Sequence, residues 1–254
     1  MPPKHSPRPV AGQAPGKRAD VAAMFDRIAP RYDLLNRVLS LGIDKLWRRT
    51  TLREMRRRLD GRPAGRVLDL ATGTADLAIA LARRDAEQVV GVDPSVGMLE
   101  VGREKVSAKK LGRRVTLEEG HSERLPFDDD TFDAATVAFG VRNYEDLQAG
   151  LRETARVLKP EAPLVVLEFS RPTAFPVKQL YGFYFKHVLP RIGGVVSGDA
   201  GAYTYLPESV NVFPDGDDFL REMERAGFTA PRRKPLTFGI ATVYSALASG
   251  EREG

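Results

Sequence analysis

The sequence predicts an α/β fold in which helices cover both faces of a doubly wound, mostly parallel sheet. The apolar run that starts at Val67 ends in Asp69 and breaks at Gly73, as expected of a strand that leads into a tight turn. A second apolar run, about twenty residues further on, ends in Asp93, where a carboxylate can accept hydrogen bonds from two ribose hydroxyls. Beyond these runs, strand-like and helical patterns alternate, which favours parallel pairing with right-handed crossovers.

The residues before this sheet fall into two parts. Residues 1–18 contain five prolines and several basic residues, and we expect them to form a disordered tail. Residues 19–254 are expected to form one domain, which opens with a helical cap over residues 19–60. One helical face of the cap is apolar up to Pro30, where the helix is expected to be interrupted: Val21, Met24, Phe25 and Ile28. Further cap helices are expected over residues 34–39 and 43–59.

The sheet follows as a series of short apolar runs separated by helical patterns. Strands are expected at Arg66–Leu70, Gln88–Val92, Arg114–Glu118, Phe132–Ala138 and Leu164–Phe169, with helices at Asp76–Arg84, Gly97–Lys110 and Glu145–Leu158. After an insertion over residues 170–214, a helix at Phe219–Ala226 precedes two closely spaced runs, Arg232–Thr237 and Ala241–Leu247, which should pair antiparallel. Five parallel strands followed by an antiparallel hairpin form the seven-stranded, Rossmann-like sheet of class I methyltransferases.

The turn after the first strand indicates which nucleoside is bound. A dinucleotide fingerprint has three glycines, whereas the three positions here are Ala71, Gly73 and Ala75. Asp69 would repel a diphosphate at this turn but would attract a cation. S-adenosylmethionine carries a sulfonium and an ammonium group and no phosphate, so it suits the turn better than NAD does. An incidental acid beside an ordinary strand–turn–helix unit remains the alternative.

The composition excludes several other classes of protein. The chain has 254 residues and no cysteine, so it has neither a thiolate metal site nor a cysteine nucleophile. Only three histidines are present, and we expect no metal. The net charge of +5 permits an anionic partner, but the basic residues are dispersed, so no nucleic acid is expected. No secretory signal and no apolar stretch of membrane-spanning length are found, so we expect a cytoplasmic protein.

Two loops beyond the strand ends carry candidate site residues. His121 and Ser122 follow the third strand, at the position that holds the adenine in this fold, although they also suit an ordinary exposed loop. Arg142 and Asn143 follow the fourth strand, where side chains line the ligand crevice of a doubly wound sheet. An ion pair for Arg142 and a helix cap for Asn143 are the competing interpretations.

Several motifs resemble the menaquinone/ubiquinone biosynthesis C-methyltransferase family. They cover nearly the whole chain from Val21 to Tyr244, and several are specific to that family: Tyr32-Asp-Leu-Leu-Asn36, Leu39-Ser-Leu-Gly42, Phe139-Gly-Val-Arg-Asn143, Arg156-Val-Leu-Lys-Pro160, Leu167-Glu-Phe-Ser-Arg-Pro172 and Tyr203-Thr-Tyr-Leu-Pro-Glu-Ser209. The resemblance implies S-adenosylmethionine-dependent methylation of a ring carbon on a polyprenylated quinol, with demethylmenaquinol favoured over the ubiquinone precursor. It places the donor contacts at Thr74, Asp93, His121 and Ser122, in addition to Asp69 and Gly73 of the turn.

The implied chemistry needs a deprotonated quinol, since loss of a phenolic proton makes the neighbouring ring carbon nucleophilic. Arg142 is the candidate that stabilises the phenolate or positions a water as base, and Asn143 the candidate that orients a quinol oxygen. Glu168 is either a base or the ion-pair partner of Arg171. Tyr203 and Tyr205 are expected to contact the ring, with packing of the substrate lid as the alternative.

An unusually aromatic and apolar stretch, residues 175–196, lies within the insertion. A lid over a greasy substrate that touches the inner face of the membrane accounts for it, and core packing or a homodimer interface accounts for it equally well. A methyltransferase for another small aromatic or lipid substrate is the second functional hypothesis.

Overall fold

A computed structural model describes residues 17–40, 42–184 and 201–250. Two helices come first, α1 (Lys17–Leu39) and α2 (Asp44–Leu59). The alternating part of the chain comprises β1 (Ala64–Leu70), α3 (Asp76–Arg84), β2 (Ala86–Asp93), α4 (Val96–Ala108), β3 (Val115–Glu119), β4 (Ala134–Ala138), α5 (Leu147–Val157) and β5 (Pro163–Phe169). Next come α6 (Val177–Phe183), α7 (Gly201–Val212), α8 (Asp217–Arg225), β6 (Phe228–Leu236) and β7 (Ala241–Ala248).

The strands form one seven-stranded sheet in the order β3-β2-β1-β4-β5-β7-β6. The first five strands pair parallel, whereas β7 runs antiparallel to both β5 and β6. The predicted doubly wound sheet with a terminal antiparallel hairpin is therefore confirmed. Because the order reverses direction between β1 and β4, the carboxyl ends of these two strands open a crevice, which is where ligands bind in such sheets.

Helices bury both faces of the sheet. On one face, α2 packs against β5 and β7, whereas α3 and α4 pack against β2 and β3, through residues such as Trp47, Leu81 and Val165. On the other face, α5 and α8 pack through Leu151 and Phe219. Inward-facing residues on both sides explain why the central strands are near-continuous apolar runs.

The helical cap differs from the prediction, since α1 continues through Pro30 and past Leu34 without a break. Residues before and after Pro30 pack in one cluster with Met98 of α4, and this packing holds the helix together across a position that intrinsic propensity disfavours. α1 begins at Lys17, inside the predicted tail; the rest of that tail, residues 1–16, lies outside the described residues.

Most strand bounds differ from the prediction by one or two residues, and the largest difference is in β6. That strand begins at Phe228 rather than at Arg232, because Phe228 pairs with Ala248 across a register shift after Thr229. At β4, Phe132 precedes the strand and makes an isolated parallel bridge with Leu158. Long-range pairing decides these ends, and the local pattern does not contain it.

Candidate active site

The turn after β1 presents its backbone to the carboxyl end of β2. Gly73 adopts a left-handed conformation with φ +54°, which favours glycine. Its N–H donates to Asp93 Oδ2 at 2.8 Å, and the N–H of Thr72 donates to the carbonyl of Val92 at 3.1 Å. These two bonds fix the distance between the turn and the end of β2, so the predicted convergence of Gly73 and Asp93 is a feature of the structure.

Asp93 is held as a hydrogen-bond acceptor at the edge of a cavity. Its Oδ1 accepts from the N–H of Ser95 at 2.9 Å. Burial raises the pKa of Asp93 to about 6, against the lowering effect of the Ser95 and Gly73 backbone bonds. Since an ionised carboxylate can accept about four hydrogen bonds, two backbone donors leave capacity for ribose hydroxyls.

Asp69 supports the turn from beneath and does not line the cavity. The residue is 1% exposed, and its two carboxylate oxygens accept from Thr136 Oγ1 at 2.6 Å and Thr72 Oγ1 at 2.7 Å. Burial raises its pKa to about 6, although both threonine bonds act in the opposite direction. The structure thus ties Asp69 to the two strands and the turn, and its predicted direct contact with the donor remains a prediction.

Thr74 is likewise turned away from the cavity. Its hydroxyl lies 2.6 Å from Asp33 Oδ1 on α1 and 3.2 Å from Lys105 Nζ on α4. Lys105 also pairs with Asp33 at 2.7 Å and with Asp76 at the start of α3. This cluster fastens α1 to the turn, and the predicted contact of Thr74 with the donor remains a prediction.

A small cavity of about 90 Å³ lies beside the turn. The predicted residues that line it are Gly73, Asp93, His121, Ser122 and Asn143. The loop that carries His121 is closed by an isolated bridge to Arg124. The structure therefore brings together five of the residues that the sequence singled out, from the ends of four different strands.

A large cavity of about 480 Å³ adjoins the small one along α1. Its wall contains an aromatic trio, in which the Phe139 and Phe169 ring centroids are 4.6 Å apart and Trp47 is 6.0 Å from Phe139. Trp47 Nε1 donates to Thr237 Oγ1 at 2.8 Å, which orients the indole. An apolar, aromatic space of this kind suits a flat ring with a hydrocarbon substituent.

Arg142 enters the large cavity as half of a buried ion pair. Its Nη1 donates to Glu168 Oε1 at 2.7 Å, and the side chains of Arg142 and Glu168 are 6% and 0% exposed. The guanidinium also bonds the carbonyl of Phe139 and Ser209 Oγ, and its carbon lies 5.6 Å from the centre of the Phe169 ring. Burial raises the pKa of Glu168 despite the Arg142 charge. Of the two roles predicted for Glu168, the structure shows an ion pair, with Arg142 rather than with Arg171 as its partner.

Arg171 pairs instead with Asp215 at the surface, with 3.0 Å between Arg171 Nε and Asp215 Oδ1.

Asn143 and Tyr205 contact each other, because the Tyr205 hydroxyl donates to Asn143 Oδ1 at 2.9 Å. Tyr205 lines the large cavity from α7, and burial raises its pKa. Tyr203 belongs to the same helix, but its side chain lies outside the described residues.

The two cavities share a wall, which the sequence reasoning did not anticipate. Phe25, Tyr32 and Phe139 line both of them. Tyr32 and Asn36 stand in the first motif that carries the family resemblance, and that motif was the available signal for a site role. Nothing local marks Phe25, because its spacing on α1 is that of an ordinary core residue.

Metal and membrane features are absent from the part of the chain that the structure describes. No group of three or more His, Asp or Glu side chains there could hold a metal ion. Among residues 17–40, 42–184 and 201–250, no helix combines the length and apolarity needed to cross a bilayer.

The sheet order, the glycine turn and the acidic end of β2 define a class I, Rossmann-like nucleoside-binding fold. Solved structures agree. The [4+2]-cyclase SpnF aligns with a TM-score of 0.66 and 18% identity over 93% of this chain and 98% of its own. A S-adenosylmethionine-dependent methyltransferase of Thermotoga maritima, titled a possible histamine N-methyltransferase, aligns at 0.59 and 20% identity over 89% and 99%. At such identities the likeness shows the fold alone.

The sequence comparison is more specific: the chain belongs to the ubiE/COQ5 methyltransferase family, which matches residues 13–248. It is 49% identical to the ubiquinone/menaquinone biosynthesis C-methyltransferase UbiE of Geobacter sulfurreducens, over 87% of this chain and 86% of the relative. It is 50% identical to the demethylmenaquinone methyltransferase of Deinococcus radiodurans, over 93% and 96%. The predicted class, a C-methyltransferase that uses S-adenosylmethionine, is confirmed.

Proposed function

We propose that this protein transfers the methyl group of S-adenosylmethionine to a ring carbon of a polyprenylated quinol, with demethylmenaquinol as the preferred acceptor. The supporting observation is the pair of cavities that share Phe25, Tyr32 and Phe139 as a wall. One cavity is small and edged by hydrogen-bonding groups, and the other is large and aromatic. A methyl transferase for an apolar ring needs these two compartments in contact, since donor and acceptor must meet.

The groups that line the small cavity suit the ribose and the adenine of the donor. Asp93 offers carboxylate lone pairs to ribose hydroxyls, and the left-handed Gly73 exposes backbone beside it. His121 and Ser122 line the region where the adenine would lie. S-adenosylmethionine supplies the methyl group on a sulfonium, which makes that carbon electrophilic.

The large cavity fits a reduced ring. Arg142 projects a permanent positive charge into an apolar space, where it stabilises the phenolate that forms when a quinol hydroxyl loses its proton. Asn143 lines the small cavity and accepts a hydrogen bond from Tyr205, which lines the large one, and this supports a role for Asn143 in positioning that oxygen. A phenolate pushes electron density onto the neighbouring ring carbon, so no covalent enzyme intermediate is needed, in keeping with the absence of cysteine.

The mouth of the large cavity carries exposed apolar side chains, and we propose that it contacts the lipid surface in which the prenyl tail resides. Leu180 is 65% and Phe238 79% exposed, yet both line the cavity. Phe175, five residues before Leu180, and Phe183, three residues after it, are also exposed. Flotation with anionic vesicles should fall when Leu180 and Phe238 are both changed to Ser. Leu46→Ser, at an exposed α2 residue that does not line the cavity, is the control. Loss of self-association in the double variant, with flotation unchanged, would assign the patch to a homodimer instead.

The reaction itself is tested with the purified chain, S-adenosylmethionine and chemically reduced demethylmenaquinol in detergent. Mass spectrometry should show the gain of one methyl group on the quinol and none on the oxidised quinone. Asp93→Asn should lose both turnover and calorimetric binding of adenosylhomocysteine. Asp146→Asn removes a carboxylate that also accepts a backbone N–H, at the start of α5, and should change neither. Tight binding of NADH without binding of adenosylhomocysteine would refute the proposal.

A competition between demethylmenaquinol and the corresponding benzoquinol precursor determines which of the two acceptors the protein prefers. The aromatic trio should favour the larger naphthoquinol ring, because a fused ring buries more apolar area against Trp47 and Phe169. Equal kcat/KM for the two would leave the methyl transfer intact and remove the ring preference.

A further inference from the structure

A second group of polar residues faces the large cavity. Two of them belong to α2, and the third lies four residues before the start of that helix. Ser40, Asp44 and Arg48 all line that cavity, and they follow one another at intervals of four residues. Arg48 pairs with Asp44, and Ser40 Oγ donates to Asp44 Oδ1 at 2.9 Å. The sequence reasoning assigned no role to any of the three.

These residues line the same cavity as the aromatic trio, whose rings contact one another at 4.6–6.1 Å between centroids. Arg142 lies against Phe169, with 5.6 Å from its guanidinium carbon to the ring centre. Trp47 directly precedes Arg48 on α2. A ring bound in this cavity therefore faces a wall that carries two guanidinium groups, those of Arg142 and Arg48.

Tyr32 lines the same cavity, and its pKa responds to both of these charges. Burial raises the pKa of its phenol, while a hydrogen bond from Asn36 and the positive charges of Arg142 and Arg48 lower it. Both guanidinium groups therefore act on the phenol of Tyr32 in the cavity wall, and Arg48 belongs to the same cavity as Arg142.

A second ion pair with the same four-residue spacing lies further along α2, and its role is structural. Arg58 lies four residues after Glu54 and donates to Ser245 Oγ, the Ser245 carbonyl and the Ala230 carbonyl. The guanidinium of Arg58 thus donates its hydrogen bonds to the β6–β7 hairpin. Arg48, in contrast, faces a cavity that is otherwise mainly apolar, with Asp44 as its close partner and Asp76 at 3.6 Å.

The acceptor that this site requires has two oxygens on opposite sides of its ring. One, next to the carbon that receives the methyl group, belongs beside Arg142 and Asn143. The other, next to the carbon that bears the prenyl chain, must also find a hydrogen-bond partner, because a buried hydroxyl without one is costly. A guanidinium has five donors and a carboxylate about four acceptor positions, so the Ser40–Asp44–Arg48 group has capacity for it.

We propose that Ser40, Asp44 and Arg48 form a second hydroxyl-binding subsite, which holds the quinol oxygen remote from the donor and so orients the ring with its unsubstituted carbon towards the donor. The proposal rests on the quinol methylation proposed above. Arg48 and Asp44 are positioning residues in this scheme, because they do not contact the reacting carbon. A hydrogen bond to a charged group contributes about 1.5–3 kcal/mol, which corresponds to a change of about 10- to 100-fold.

The test compares two acceptors in four proteins. One acceptor is reduced demethylmenaquinol, and the other is its analogue in which hydrogen replaces the hydroxyl next to the prenyl-bearing carbon. The kcat/KM ratio of the two is measured for the wild type, Arg48→Met, Ser40→Ala and the control Arg49→Met, whose side chain is exposed on the same helix. The intrinsic reactivity difference between the acceptors cancels when these ratios are compared.

Arg48→Met should reduce the preference for the full quinol by about 10- to 100-fold, mainly through KM, with adenosylhomocysteine binding retained. Ser40→Ala should reduce the preference by a smaller factor, and it serves as the deciding variant if Arg48→Met does not fold. Arg49→Met should keep the wild-type ratio. An unchanged ratio in the folded variants overturns the subsite while leaving the proposed function standing. Failure of the wild type to methylate either acceptor overturns both.

Discussion

Replacement of Arg142 should affect stability and catalysis separately, because its guanidinium has two distinct roles. The side chain neutralises Glu168, which is 0% exposed, and it presents positive charge to the large cavity. Arg142→Met leaves the carboxylate buried without its charge partner. Breaking a buried pair in this way costs about 3–5 kcal/mol of the free energy of unfolding.

The loss of stability should be recovered by a second substitution. Glu168 Oε1 also accepts the N–H of Phe169 at 2.8 Å, and Oε2 accepts that of Arg142 at 3.3 Å. A neutral amide oxygen can accept such backbone donors, so Arg142→Met with Glu168→Gln keeps part of this bonding and removes the uncompensated charge. We expect the double variant to regain most of the 3–5 kcal/mol.

Catalysis should not recover, because no positive charge remains to stabilise the phenolate. Urea denaturation measures the unfolding free energy, and a methyl-transfer assay measures turnover in the same preparations. Binding of adenosylhomocysteine, measured by calorimetry, should stay close to the wild-type value in the double variant, since Arg142 does not line the small cavity. Wild-type stability of Arg142→Met, or restored turnover in the double variant, would refute this reasoning.

Three further outcomes are expected. Burial raises the pKa of Asp93 to about 6, and only the carboxylate accepts two hydroxyls, so adenosylhomocysteine affinity should fall about tenfold for each pH unit below 6; calorimetry between pH 5 and 8 should show that slope, and a wild-type affinity that does not change over this range would contradict the assignment. A Cβ on Gly140 would lie 2.3 Å from Ala71 Cβ, so Gly140→Ala should force the two turns of the small cavity apart and lower the unfolding free energy by about 1–3 kcal/mol; an unchanged urea midpoint would show that the turns adapt. Lys105→Met should weaken adenosylhomocysteine binding about fivefold by loosening α1, since a partly buried ion pair contributes about 1 kcal/mol; the exposed Lys109→Met is the control, and equal effects of both would argue against a fastening role.

Gly73 and Asp93 show how far a sequence can specify a site. Each belongs to a local pattern, an apolar run with a glycine break or an acidic end, and the order of the runs along the chain dictates that their ends meet. The same reasoning placed Arg142 and Asn143 at the crevice, because they directly follow a strand. Local periodicity was equally sufficient for α3, whose predicted and observed bounds are identical.

Asp69 and Thr74 have partners that local reasoning does not supply. Asp69, near the end of β1, bonds a threonine of a neighbouring strand, and Thr74, in the turn, bonds an aspartate of α1, at separations of 67 and 41 residues. Their predicted contacts with the donor remain predictions. Side-chain direction in a turn depends on which distant partner is available, and no pattern within the turn encodes that partner.

The sequence alone determined the class of fold, the family and the glycine turn that follows the first strand, because these depend on the order and spacing of residues along the chain. Tertiary structure alone decided that α1 runs unbroken past both cavities and that Arg142 pairs with Glu168. It also decided that the α2 residues Asp44 and Arg48 face the large cavity. These features arise from packing between segments far apart in the chain, where burial of apolar surface and neutralisation of buried charge outweigh local preference.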